Sequence, residues 1–329
     1  RLHLALATTL ASLVAFVACS DEDNANQPTS TSDAGVDASA NPDSGSTEPT
    51  SDAGTDAGPT FVPGEPIVAP ANEWTYVPFD DSSCANGTPT GMGINPGTSK
   101  QLVVYLEGGG ACWAPISCYQ VQPASHLADG YDKAKFDERA KAVGKSHFDR
   151  TAANNPFKDA SYVYIPYCTG DVHSGDREMT YAGKPTKHFG RRNVQAFLKR
   201  IQPTFKDADR VIVTGSSAGG FGAAMNYWRF AEAFSAVRVD LVDDSGPPFP
   251  TDKMKYFDTW LESWDLQGNV PPKCADCANG NISAVLPYYA KTYPKSRLAL
   301  LSYDHDQVIS GFFGLSPDEF ATTLASVTK

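Results

Sequence analysis

The stretch RVIVTGSSAGG, residues 210–220, decides the fold. Arg210–Thr214 is an uninterrupted β-rich run of the kind that forms a buried strand. It runs straight into Gly215-Ser216-Ser217-Ala218-Gly219-Gly220, and residues 218–234 then read as a helix rich in small residues at its start. Strand, sharp turn and helix are the setting in which G-x-S-x-G presents a nucleophile. Positions two residues either side of such a serine must be small, and Gly215 and Gly219 meet that need for Ser217. Ser216 is worse placed, because its partners would be Thr214 and Ala218. Ser217 would sit at a helix N-terminus, where N–H groups favour developing negative charge, with Ala218 N–H as one oxyanion donor.

Outward from this turn, further β-rich runs occupy 101–106 (QLVVYL), 161–165 (SYVYI), 236–242 (AVRVDLV) and 297–303 (RLALLSY). Between them, GRRNVQAFLKRI at 190–201 places Val194, Phe197, Leu198 and Ile201 at helical spacing. Another helix is expected to begin near Ser316-Pro317-Asp318-Glu319. Alternating strands and helices predict an α/β fold with a mostly parallel sheet and its functional loops at the strands' carboxyl ends. The stretches 111–160 and 266–280 are expected to be loop-rich excursions over that edge.

The second oxyanion donor should come from the loop after an earlier strand. Glu107-Gly108-Gly109-Gly110-Ala111 follows QLVVYL and fills that role. The acid should follow the nucleophile in the chain. Asp243 and Asp244 close one strand and Asp304 the next, and the later strand is the more usual station, which favours Asp304. His126, His147, His173 and His188 precede Ser217, and His305 directly adjoins Asp304. The base is therefore expected in a βα unit beyond residue 329, and residues 1–329 alone are expected to be inactive.

Composition limits the alternatives. The 27 basic and 38 acidic residues give a net charge of −11, which excludes the basic footprint of a nucleic-acid binder. Most of the excess lies in residues 1–59, with one base and nine acids. Residues 1–19 have the layout of a secretory signal, and Phe16-Val17-Ala18-Cys19 resembles a bacterial lipobox, which implies lipidation of Cys19 and a membrane anchor. The chain opens on Arg1, so residues upstream are expected. Residues 20–60, with SDAG at 32–35 and 51–54, are too polar to bury a core and read as a disordered acidic linker. A single domain is expected over 61–329.

Apart from Cys19 there are six cysteines, which in an exported protein favours three disulfides. Six cysteines permit fifteen pairings. Short spacing suggests Cys112–Cys118 and Cys274–Cys277, which leaves Cys84–Cys168. A lone C-x-x-C with no second pair or nearby His argues against zinc, and no motif asks for another metal or an organic cofactor.

Several separated motifs resemble the pectin acetylesterase and Notum-like carboxylesterase family, over roughly residues 75–320. They are Cys84-Ala85-Asn86-Gly87-Thr88-Pro89, Leu106 through Trp113 (LEGGGACW), Ile165 through Gly175 (IPYCTGDVHSG), the turn around Ser217, and Tyr303-Asp304-His305-Asp306-Gln307. The resemblance implies an α/β-hydrolase fold. It implies Ser217 as nucleophile, Asp304 as the residue that orients the base, and Gly109, Gly110 and Ala218 as oxyanion donors. The Asp–Gln spacing selects Asp304 over Asp306 and strengthens it against Asp244. The implied reaction is ester hydrolysis through an acyl-serine, with acetyl groups on an extracellular polysaccharide as the expected substrate. A deacylase of lipidated substrates and a non-catalytic surface lipoprotein are the alternatives. Trp113, Tyr119, His173 and Phe249 are candidates for the acyl pocket.

Overall fold

Alternate residues of the central strands face two separate layers of core, so the sheet is covered on both sides. The computed structural model describes residues 61–121 and 124–327. The signal, Cys19 and linker expectations lie outside the described residues. In chain order, β1 (Thr75–Phe79) and β2 (Thr90–Asn95) form an antiparallel hairpin, and β3 (Gln101–Leu106) follows. Helix α1 (Lys133–Val143) precedes β4 (Ser161–Ile165), and a separate hairpin pairs β5 (Arg177–Tyr181) with β6 (Lys184–His188). Then come α2 (Gly190–Thr204), β7 (Arg210–Ser216), α3 (Ala218–Ala233) and β8 (Arg238–Asp244). The last elements are α4 (Phe257–Trp264), α5 (Val285–Thr292), β9 (Leu298–Leu301), α6 (Gln307–Phe313) and α7 (Pro317–Val327).

The seven-stranded sheet runs β1-β2-β4-β3-β7-β8-β9. From β4 to β9 every pairing is parallel, and β1 and β2 add an antiparallel edge. This is the predicted α/β class. Leu102, Val104, Val163, Val211 and Val213 point into one core with α2 and α3, while Val103, Tyr162, Tyr164 and Ile212 point into the other beside Phe136 of α1. The period of two follows from strand geometry. Each such aliphatic side chain contributes roughly 1.5–3 kcal/mol through its burial. On α2, Val194, Phe197, Leu198 and Ile201 are all buried, as their spacing predicts.

Local chemistry sets the helix ends. Asp132 caps α1 by accepting the Lys135 N–H, and Asp306 caps α6 by accepting from Val308 and Ile309. At α7, Ser316 Oγ accepts the Glu319 N–H while Glu319 accepts from Ser316 N–H, a reciprocal capping box. The stretch 111–160 is more ordered than its sequence predicts, because α1 packs Phe136, Ala140 and Val143 inward.

Register lines up the functional loops. Leu106 pairs with Gly215, Ser216 with Asp244, and Asp244 with Leu301. The residues after β3, β7, β8 and β9 therefore emerge together at the carboxyl edge. The three disulfides join Cys84–Cys168, Cys112–Cys118 and Cys274–Cys277, the pairing that spacing suggests.

Candidate active site

Ser217 stands between β7 and α3 with φ 58° and ψ −123°, in the strained region that a non-glycine residue adopts only where its surroundings enforce it. Two contacts hold it there. Its N–H donates to the Asp244 carbonyl at 2.7 Å, and its carbonyl accepts the Phe221 N–H at 3.0 Å. The flanking glycines are a matter of space. A Cβ on Gly219 would lie 2.0 Å from the Leu106 carbonyl oxygen, and one on Gly215 would lie 2.3 Å from the Gly219 carbonyl oxygen. The small neighbours thus let the turn close against the end of β3.

Ser217 opens into a narrow pocket of about 40 Å3. Gly110, Ala111 and Ala218 line it near the serine, and Phe221, Trp260, Trp264, Ile309, Phe312 and Phe313 make its walls. Ala218 is the first residue of α3, where N–H groups have no intrahelical partner. Gly110 has φ 82° and Gly109 φ 155°, which brings the triglycine backbone round toward the serine. Gly109 does not line the pocket, and its carbonyl accepts the Ser125 N–H.

Apart from Phe221 of α3, the pocket rings come from α4 and α6, which sequence reasoning misses. The signal is present as Trp260 and Trp264 one helical turn apart, and as Ile309, Phe312 and Phe313 at helical spacing. The four candidates for this role sit elsewhere. Trp113 packs behind the wall, 5.4 Å from Trp260 and 6.2 Å from Phe312, and Phe249 packs behind Phe313 at 5.3 Å. Tyr119 bonds Thr186, and buried His173 donates from Nε2 to the Glu107 carbonyl. Trp264 is fastened by its indole N–H to the Cys112 carbonyl at 2.7 Å.

Asp304 lies on the loop after β9, exposed, with a carboxylate oxygen 3.2 Å from His305 Nδ1. The His305 imidazole holds that carboxyl below its usual range, and Asp304 and Asp318 hold the imidazole above its own. Asp306 is spent on capping α6. Among the described residues, no histidine bonds Ser217. His188 donates from Nδ1 to the Thr169 carbonyl and accepts from Tyr181, and burial lowers its pKa as it does that of His173. Asp244 accepts from the Ser245 hydroxyl. No cluster of His, Cys, Asp or Glu suited to a metal occurs among the described residues.

Residues 74–310, well over half of the chain, match the pectinacetylesterase family. The chain belongs to the pectinacetylesterase family. Curated relatives carry a related esterase name. The chain is 27% identical over 162 residues to palmitoleoyl-protein carboxylesterase notum2 of Xenopus laevis, covering 45% of this chain and 30% of that protein. It is 25% identical over 182 residues to palmitoleoyl-protein carboxylesterase NOTUM of Homo sapiens, covering 50% and 34%. The match to the protein of that name in Drosophila melanogaster is 25% over 211 residues, covering 58% and 31%. These matches span about a third of the relatives' length.

One buried carboxyl lies directly behind the pectinacetylesterase serine turn. Asp243 is 1% exposed, accepts the Gly246 N–H through Oδ1, and leaves Oδ2 without a partner. Burial, with a smaller push from Asp244, raises its pKa to about 7. The unfolded chain ionises the same group near pH 4. Its contribution to stability is therefore full below about pH 4 and is lost as the pH climbs through about 7. Asp243→Asn keeps an oxygen for Gly246 and cannot ionise. It is expected to flatten the decline in stability across that window and to exceed the parent by a few kcal/mol at about pH 8. Urea midpoints at several pH values check this, and equal slopes for both proteins would refute it.

Proposed function

We propose that the protein is a serine carboxylesterase that removes small acyl groups, above all acetyl, from an extracellular polysaccharide. The observation that carries this reading is Ser217 held on a strained turn at the mouth of a narrow, ring-walled pocket. A volume of about 40 Å3 exceeds the space of one water severalfold, enough for a two-carbon acyl group and far short of a long lipid chain. The curated relatives are named for a palmitoleoyl group, and a pocket this narrow favours a shorter acyl group here.

In the proposed mechanism Ser217 Oγ attacks the ester carbonyl as its proton passes to a histidine. The carbonyl electron pair moves to oxygen, and the N–H groups of Ala218 and Gly110 stabilise that charge, each worth about 3 kcal/mol; Gly109, which does not line the pocket, is left out of this role. The histidine returns the proton to the departing sugar hydroxyl, leaving an acyl-serine. Water, deprotonated by the same base, then releases the acid and restores the hydroxyl. No described histidine fills the role. We assign it to a histidine from a segment outside the described residues, oriented by Asp304. The exposed Leu301 on edge strand β9, with exposed Tyr303 on the loop after it and Val308 on α6, supports a docking place for such a segment. Three disulfides favour an oxidising compartment, and lipidation at Cys19 would hold the enzyme at the outer membrane or cell surface.

Rates on p-nitrophenyl acetate and p-nitrophenyl octanoate test the reading. The acetate is expected to be favoured by at least about tenfold, and Trp260→Ala with Phe312→Ala should narrow or invert that preference. Faster cleavage of the octanoate by the parent would favour the lipid deacylase. No turnover of either ester by the whole protein would favour a binding lipoprotein.

A further inference from the structure

A second cavity, of about 420 Å3, lies on the other side of the oxyanion loop. Glu107 and Gly108 line this cavity, whereas Gly110 and Ala111, three residues further on, line the acyl pocket. The five-residue stretch 107–111 thus separates two spaces of opposite character. The acyl pocket is walled by rings. The second cavity is bordered by Ser125, His126, Tyr131, Lys135, Glu138 and Arg139. Its size falls within the range of small-molecule sites.

The polar groups are arranged rather than scattered. Glu107 is buried and accepts Arg139 Nε at 3.0 Å and the Tyr167 N–H at 3.2 Å. Arg139 Nε also reaches the Tyr164 hydroxyl at 2.9 Å, yet its side chain stays 44% exposed. The guanidinium is therefore fixed at its stem and open at its far edge. His126 is held at φ 58°, uncommon for a residue with a side chain, and its ring meets Tyr131 edge-on at 5.0 Å. Strain of this kind collects at ligand clamps. Lys135 is drawn toward Asp129 at 3.5 Å, and Glu138 is exposed.

Cations and carboxylates of both signs share one rim. An anion would gain from Arg139 and Lys135 and lose to Glu138 and Glu107. A neutral polyol gains from all of them, since each hydroxyl both donates and accepts. We infer that this cavity is a saccharide subsite that takes a neutral sugar ring of the polymer whose ester enters the neighbouring pocket. The inference rests on the proposed polysaccharide esterase reading and names the substrate's sugar class. The loop also gives the subsite a link to the chemistry. The Ser125 N–H on its rim bonds the Gly109 carbonyl at 2.8 Å, and a Cβ on Gly108 would lie 2.3 Å from the Ser216 carbonyl oxygen. Filling the cavity braces the backbone that carries the oxyanion donors.

Calorimetric titration of the whole Ser217→Ala protein tests the subsite without turnover. The probes are unacetylated tetrasaccharides of β-1,4-linked xylose, mannose or galactose, with tetragalacturonate as the acidic comparison. At least one neutral oligomer is expected to bind with Kd below about 1 mM. Glu138→Ala combined with Lys135→Ala alters only rim side chains, so folding is expected to persist, and the affinity should fall at least about tenfold. Binding of the acidic oligomer alone, binding of none, or affinity unchanged in the rim variant would each overturn the assignment. The two readings fail separately. A protein that cleaves acetyl esters but binds no oligomer loses only the subsite, and one that binds an oligomer but turns over no ester loses only the esterase reading.

Discussion

Ser217→Ala is expected to reduce hydrolysis of p-nitrophenyl acetate by the whole protein by about 10^4-fold or more, the scale seen when a nucleophile is removed from a working triad. Labelling by a serine-directed fluorophosphonate should vanish with it. The fold should survive, because the tight turn is held by the backbone bonds to Asp244 and Phe221, not by the side chain. No hydrogen bond of Ser217 Oγ to another described residue is found that the change would break. Undiminished labelling or turnover in the variant would move the nucleophile elsewhere and remove the central claim. Ser216 is the control. It lies within β7, and its replacement should leave labelling in place.

The largest stability effect is expected at Cys84–Cys168. This bond spans 84 residues, joining the chain between β1 and β2 to the loop after β4. Both sulfurs are buried, and the Ala85 N–H donates to the Cys168 carbonyl at 2.8 Å beside them. Closing so long a loop removes much of the unfolded chain's freedom, about 4.6 kcal/mol by the entropic account. Replacing both cysteines by alanine should therefore lower the unfolding free energy by about that amount in urea titrations. The Cys274–Cys277 bond spans only three residues and should matter far less. Equal losses at the two sites would show that loop closure is not the source.

The serine turn and its parallel strands were legible because their determinants are local. RVIVT must be a buried strand, and the glycines at 215 and 219 are demanded within five residues of one another. The hairpins were not legible. In β2, TGMGIN offers only Met92 and Ile94 as an apolar face, and Gly93 between them leaves room for the Phe136 ring, where a Cβ would come within 2.1 Å. In β6, KPTKH reads as polar loop, and only Thr186 and His188 turn inward. The acyl pocket was hidden for another reason. Trp260 and Phe312 are far from Ser217 in the chain and meet it only through tertiary packing. The same holds for Asp243, whose position at the end of β8 was visible and whose burial was not. Arg139 and Glu107, 32 residues apart, likewise reveal their pairing only in the folded chain.

The bond from the Trp264 indole to the Cys112 carbonyl places one wall of the acyl pocket on a loop closed by Cys112–Cys118. If the proposed preference for short esters holds, it becomes partly a record of the redox history of the molecule. A batch matured without oxidant should be the less fastidious catalyst, losing its dislike of octanoate before it loses turnover, and reoxidation should restore its selectivity.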